Sequence, residues 1–224
     1  MVRNTGSEQL RSRVRIATLF AVAAMVAAWL TILVSALLNP WFRVTANALS
    51  DLGGGNLVLN GHPAPTDPLV YNVGLMVTGV LIAVFCSLCV NVAENRLEIV
   101  GLSFFTISAL FLALIGIYHE GTYPHDFVSI WFFILSSISY ATIGVSLIPR
   151  SGRLGVTLLV LLALSWLIYA AVKWQSVAEG EIFGIAVIDA ATAIYLIALN
   201  SVSMKEGPGR MKSRWRLAER SSTG

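Results

Sequence analysis

Residues 16–38 read IATLFAVAAMVAAWLTILVSALL, an apolar stretch without a single charged side chain. A helix needs about 20 such residues to cross the roughly 30 Å hydrocarbon layer of a bilayer, because each residue rises 1.5 Å. The apolar region of a signal peptide has only about 7–15 residues, so we expect a retained transmembrane helix.

Five further apolar stretches follow, and the whole chain has the composition of a membrane protein. Hydrophobic residues make up 56% of the sequence and charged residues only 12%, whereas a soluble protein carries charge on about 25% of its residues. The sequence therefore predicts an all-α membrane protein, a six-transmembrane-helix bundle over residues 16–204. The predicted helices are 16–38, 68–92, 99–118, 127–149, 154–172 and 182–204, flanked by an N-terminal arm (1–15) and a basic tail (205–224).

The distribution of Lys and Arg predicts the orientation of these helices. With the N-terminus inside, thirteen of the fifteen cations fall on the cytoplasmic side, and only Arg43 and Lys173 fall outside. Cytoplasmic loops carry an excess of Lys and Arg, so we expect a multi-pass protein of the cell membrane with both termini in the cytoplasm. The basic residues thus have a membrane explanation, and the pI of about 9.1 does not indicate nucleic-acid binding.

Polar residues that could form a site are concentrated on the predicted external face. The loop 39–67 is rich in Gly and Pro and should be built of turns, and a second polar segment joins the third and fourth predicted helices. Histidine beside carboxylate suits acid–base chemistry and metal binding; loop polarity alone would explain the same residues. The candidate catalytic residues are Ser50, Asp51, His125 and Asp126, and the candidate ligand-binding residues are Asn47, Asn72, His119, Glu120 and Asp189.

We expect a carboxylate to contact His125 in this external cluster. Ser50 and Asp51 follow the first helix, so Asp51 or Asp126 should lie within hydrogen-bond reach of the His125 ring, directly or through one water. The sequence specifies neither a metal nor a cofactor, because it contains no standard metal-ligand spacing and no nucleotide-binding loop.

Asp189 is an exceptional charge inside the sixth predicted helix. A carboxylate at that depth costs on the order of 2.5–3.5 kcal/mol, so it should face the bundle and be paired or protonated. Either a ligand or proton contact, or a structural hydrogen bond to a neighbouring helix, would satisfy it.

Three segments resemble the domain-of-unknown-function family 998, a family of multi-pass membrane proteins common in archaea and related to the Frag1-like group. The segments are NALSDLG (47–53), YNVGLMVTG (71–79) and the turn from Gly116 to His125. This resemblance implies a six-helix fold, and relatives in the broader group act around membrane lipids. A looser likeness to the alkaline ceramidases implies a zinc hydrolase, but this sequence lacks their His-x-x-x-His pair on the last helix.

Three functions are consistent with these features. The first is a protein that binds or acts on membrane lipid through the external cluster, and the second is a lipid hydrolase-like enzyme with Ser50 as nucleophile and His125 as base. The third is an accessory subunit of a homo-oligomer or of a partner membrane protein, whose small-residue face at 21–28 would be buried by another chain.

Overall fold

The computed structural model describes residues 5–54 and 61–205, which form five long helices, one short 3-10 helix and no strand. The helices are α1 (Thr5–Leu38), the 3-10 helix (Leu49–Gly53), α2 (Pro68–Val90), α3 (Arg96–Ile117), α4 (His125–Ala171) and α5 (Val177–Lys205). Five helices in the described residues are long and apolar enough to cross a membrane. The predicted all-helical class is confirmed. The basic tail from residue 206 onward and loop residues 55–60 lie outside the described residues.

The fourth and fifth predicted helices form one helical run, α4, that folds back on itself. Ser151 leaves the helical region, with φ −148° and ψ 57°, two residues after Pro149, which removes a backbone donor and favours a kink. The Trp166 indole N–H donates to Ser137 Oγ at 3.3 Å. These two residues would lie about 44 Å apart in a straight helix. The two arms of α4, residues 125–150 and 152–171, therefore pack side by side.

Small and hydroxyl-bearing residues allow α2, α3 and α4 to pack closely. A Cβ at Gly79 would lie only 2.5 Å from the Ala109 carbonyl oxygen, so glycine is what permits α2 to approach α3 there. Between α3 and α4, Ser139 Oγ donates to the Gly101 carbonyl at 2.8 Å, and Ser108 Oγ donates to the Phe132 carbonyl at 2.9 Å. These bonds satisfy side-chain hydroxyls that have no water to bind in an apolar layer.

The small-residue face of α1 packs inside the bundle. Ala17, Ala21 and Ala24 are 0%, 2% and 4% exposed. The accessory-subunit hypothesis expected another chain to bury this face, and that expectation is wrong for Ala21 and Ala24. Larger apolar residues such as Leu19 and Val26 point outward instead, as lipid-facing residues would.

A buried ion pair joins three helices at the end of the bundle opposite the 3-10 helix. Glu98, the third residue of α3, is 0% exposed and accepts two hydrogen bonds from Arg150, at 2.7 and 2.9 Å. Tyr195 of α5 donates a third, at 2.8 Å. Glu98 also accepts from the Glu94 backbone N–H at 2.9 Å. The pair therefore anchors α4 beside its break to α3 and α5.

Replacing Arg150 by Leu should destabilise the protein strongly, because it leaves the Glu98 carboxylate buried without its cation. The expected loss is about 3–5 kcal/mol, and the double variant Glu98→Leu/Arg150→Leu should recover much of it, since both charges are then absent. Thermal unfolding in one detergent measures the effect. Arg153→Leu is the control, because Arg153 is exposed. Equal melting temperatures for Arg150→Leu and Arg153→Leu would contradict the structural role of the pair.

Candidate functional site

The 3-10 helix Leu49–Gly53 closes one end of the bundle, and all five of its residues are buried. The Leu49 backbone N–H donates to Glu181 Oε2 of α5 at 2.7 Å, and Asn72 of α2 donates to the Gly53 carbonyl at 3.1 Å. A Cβ at Gly53 would lie 2.9 Å from the Tyr71 ring, so glycine lets the turn rest on α2. Hydrogen bonds to two helices thus hold Ser50 and Asp51 at fixed positions.

A first histidine–carboxylate pair lies beside this turn. His125, the first residue of α4, places Nε2 at 3.1 Å from Glu120 Oε2. The same oxygen accepts a hydrogen bond from Ser50 Oγ at 2.7 Å. The other ring nitrogen, Nδ1, lies 2.8 Å from the Tyr118 carbonyl oxygen. Glu120 therefore connects the 3-10 helix to the start of α4.

A second pair is formed by two residues of the first loop. His62 Nε2 lies 3.2 Å from Asp51 Oδ1, a close charge contact that lacks the alignment of a hydrogen bond. Its Nδ1 lies 2.8 Å from the Pro63 carbonyl oxygen. The His62 ring stacks on Trp41 with a centroid distance of 4.4 Å and an interplanar angle of 3°. Asp51 also accepts from the Ala48 backbone N–H at 2.9 Å.

The backbone contacts of the two rings indicate their tautomers. A carbonyl oxygen only accepts, so Nδ1 carries a proton in both His62 and His125. In His125, Nε2 then faces Glu120 Oε2, and the hydrogen bond that joins them requires a second proton. The His125–Glu120 pair is therefore an imidazolium facing a carboxylate, or its proton-transferred equivalent.

The structure brings a carboxylate other than the two predicted ones into direct contact with His125. The contacting carboxylate is Glu120, which the sequence analysis placed among ligand-binding residues, whereas Asp51 pairs with His62. Asp126 is exposed in the first turn of α4, where a negative charge stabilises the helix N-terminus. Spacing along the chain could not distinguish these carboxylates, because the pairing depends on how the loops fold over the bundle.

The remaining candidate residues have structural contacts. The Asn47 carbonyl accepts from the Ala178 N–H at 2.9 Å, and its side chain accepts from the Arg43 N–H at 2.8 Å. His119 Nδ1 lies 2.9 Å from the Glu120 carbonyl oxygen. Asp189 accepts from the Trp29 indole at 2.8 Å, so the partner of this intramembrane carboxylate is an α1 tryptophan.

The sequence of hydrogen bonds at Ser50 differs from that of a Ser-His-Asp triad. In that triad a histidine lies between the serine hydroxyl and the carboxylate, so that the ring removes the hydroxyl proton. Here Glu120 lies between Ser50 and His125. The Ser50 hydroxyl therefore donates to the carboxylate, and no hydrogen bond between Ser50 and His125 is found among the described residues. No group of three metal-ligating side chains occurs within the described parts of the chain.

An apolar cavity of about 80 Å³ lies directly beneath this polar cluster, and we call it the central cavity. Ser50, Tyr71 and Glu181 line its outer end, and Asp189 and Thr192 lie deeper along α5. The rest of the lining is almost entirely apolar and includes residues from α1 to α5, among them Ala24, Ala28, Leu75, Phe105, Phe132 and Ile185.

Sequence reasoning did not select four residues that the structure brings to this end: Trp41, His62, Tyr71 and Glu181. The stacked pair of Trp41 and His62 cannot be recognised in the sequence, because the two residues are 21 positions apart. Glu181 had a signal, because it is a carboxylate one residue before a predicted membrane span.

Comparison with known proteins gives one family match. A family model described as "Protein of unknown function (DUF998)" matches residues 22–198, which run from the middle of α1 into α5. This match confirms the resemblance inferred from the three sequence segments. No curated protein and no solved structure matches the chain.

Glu120→Gln should remove a pH-dependent part of the stability. The hydrogen bond from His125 lowers the pKa of Glu120 below its ordinary 4.5; burial opposes this shift, and the hydrogen bond from Ser50 adds to it. A carboxylate with a lowered pKa stabilises the fold above pH 4.5 and loses that contribution as the pH falls through its folded pKa. Melting temperatures measured from pH 7 to pH 3 should thus fall less steeply in Glu120→Gln than in the wild type. Asp67→Asn is the control and should keep the wild-type slope, because Asp67 is exposed and its side chain makes no cap hydrogen bond. Identical slopes for all three proteins would contradict the ion pair.

Proposed function

The chain belongs to the DUF998 family, whose description names no activity, and we propose that it binds a membrane lipid with the polar end at the external cluster. The observation that carries this proposal is the central cavity, whose wall is mostly apolar and whose outer end is lined by Ser50, Tyr71 and Glu181. The deeper polar groups Asp189 and Thr192 are already hydrogen-bonded, to the Trp29 indole and the Ile188 carbonyl. An amphiphile has a similar division, so we infer that its head group lies at the cluster and the adjoining part of its chain enters the cavity of about 80 Å³.

Six membrane crossings with both termini in the cytoplasm form part of this proposal. The arms of α4, 125–150 and 152–171, each have about 20 residues or more, enough to span roughly 30 Å of hydrocarbon. Arg150 and Arg153 lie at the break between the arms, and Arg96 begins α3 at the same end. The excess of cations at this end favours a cytoplasmic location, which puts the histidine–carboxylate pairs outside.

Lipid hydrolysis is the second candidate function, and one contact favours it. Glu120 contacts both Ser50 Oγ and His125 Nε2, so a carboxylate that can take up a proton lies beside a hydroxyl at the mouth of the central cavity. Binding ranks first for two reasons. No hydrogen bond joins His125 to Ser50, and each histidine already lies against a carboxylate, His125 against Glu120 and His62 against Asp51.

The proposed topology predicts opposite labelling of two engineered cysteines in intact cells. Tyr123→Cys should react with a membrane-impermeant maleimide, because Tyr123 is fully exposed beside the polar cluster. Gly152→Cys should react only after the cells are opened, because a side chain there meets open space at the other end. Cys86 and Cys89 are buried and give little background. Labelling of Gly152→Cys alone in intact cells would reverse the orientation.

Filling the central cavity should remove bound lipid. Ala24→Phe places a ring in a cavity of about 80 Å³, whereas Ala23→Phe adds the same ring on the exposed face of α1. Mass spectrometry of lipid that copurifies with each protein should show at most about one fifth of the wild-type amount for Ala24→Phe and no loss for Ala23→Phe. Ala28→Leu is a milder filling variant if Ala24→Phe does not fold. A folded filling variant with the wild-type lipid content would refute the proposal.

A further inference from the structure

A second and larger cavity, of about 370 Å³, lies between the two arms of α4 and α5. We call it the lateral cavity. Ser165 and Trp166 line it from the second arm, Tyr140 lies on the first arm, and Gly180 and Gly184 belong to α5. Its volume falls within the roughly 300–1,000 Å³ range of small-molecule sites, which the central cavity does not reach.

Two aromatic rings occupy notches that the glycines of α5 leave open. A Cβ at Gly184 would lie 2.7 Å from the Phe133 ring, and one at Gly180 would lie 3.0 Å from the Tyr169 ring. Phe133, Glu181 and Ile188 line both cavities, so the two cavities adjoin there. The rest of the lateral-cavity lining, from the two arms of α4 and from α5, is not shared with the central cavity.

The rim of the lateral cavity faces the lipid. Ile130, Trp166, Tyr169 and Val177 line it and are each about half exposed or more on the outer surface of the bundle. These residues are apolar or amphipathic aromatic, as side chains at the outer boundary of a bilayer are. A ligand therefore reaches this cavity from the membrane.

Glu181 is the acidic side chain that lines the lateral cavity. Its Oε2 accepts the Leu49 N–H, and no Lys, Arg or His among the described residues lies in salt-bridge contact with it. His62 and His125 already pair with Asp51 and Glu120. The lining of the lateral cavity contains no Lys, Arg or His.

We propose that the lateral cavity binds a single-chain amphiphile whose head group is a protonated amine. The ammonium lies on the Glu181 carboxylate, four residues into α5, near the outer end of the helix. The alkyl chain extends inward along α5 past Gly184 toward Ile188, about 10 Å from Glu181 at 1.5 Å per residue. The faces of Tyr169, Trp166 and Phe183 supply an aromatic lining that favours a cation. The site is distinct from the central cavity and does not require the lipid proposed there.

Photolabelling with a diazirine-bearing dodecylamine tests this proposal. The full chain, in neutral detergent at pH 7, is labelled in competition with unlabelled dodecylamine or dodecanol. The amine should compete at a concentration about tenfold lower than the alcohol, the gain expected for one charge-assisted hydrogen bond. Glu181→Gln should reduce this ratio to about one. Glu179→Gln is the matched control, because Glu179 caps the start of α5 and does not line the cavity.

A pair of filling variants locates the label. Ser165→Phe fills the lateral cavity and should abolish labelling of residues 162–169, while Leu164→Phe adds a ring on the exposed face and should leave it intact. Equal competition by amine and alcohol in the wild type, or an unchanged ratio in Glu181→Gln, would overturn the proposal. Loss of labelling in Ala24→Phe but not in Ser165→Phe would assign the amine to the central cavity instead. Lipid that still copurifies with a folded Ser165→Phe variant would show that the lipid proposed for the central cavity does not depend on the lateral cavity.

Discussion

A carboxylate inside a helical bundle surrounded by hydrocarbon has to find its hydrogen-bond donor on another segment of the same chain. Glu98 finds Arg150 and Tyr195, Asp189 finds Trp29, and Glu181 finds the Leu49 backbone. Each of these bonds joins segments far apart in sequence. These acidic residues, which stand inside or beside apolar segments, therefore fix the helices relative to one another.

Hydropathy locates the apolar part of each helix, because the bilayer sets the length of that part. The second predicted helix, 68–92, differs from α2 (Pro68–Val90) only at its end, but α1 begins at Thr5, eleven residues before the predicted start at residue 16 and inside the predicted N-terminal arm. The break in α4 is also visible in the sequence, where Pro149, Arg150 and Gly152 interrupt an apolar run. Contacts between loops are different. Neither histidine has its contacting carboxylate beside it in the sequence, because Asp51 lies eleven positions before His62 and Glu120 lies five positions before His125. Only the folding of the chain over the bundle brings each pair together. Hydropathy and spacing contain no information about that pairing.

The arrangement of the cluster bears on function more than its composition does. Histidine, serine and carboxylate are the components of a hydrolase, yet Ser50 here donates to the carboxylate of Glu120. That bond places Glu120 where it could take the hydroxyl proton, but the hydrogen bond from His125 lowers the pKa of Glu120 and so makes it a weaker base. The same bond suits a rigid polar cap, since it joins the 3-10 helix to the α3–α4 loop above an apolar cavity.

Glu181 connects the 3-10 helix with the two cavities. Its Oε2 accepts the Leu49 N–H, and its side chain lines both the central and the lateral cavity. In the proposed amine complex, the other carboxylate oxygen accepts a hydrogen bond from the ammonium. An anionic head group at the same position would face the Glu181 carboxylate, and the lining of the lateral cavity contains no Lys, Arg or His to offset the repulsion. The proposed site therefore selects cationic over anionic head groups.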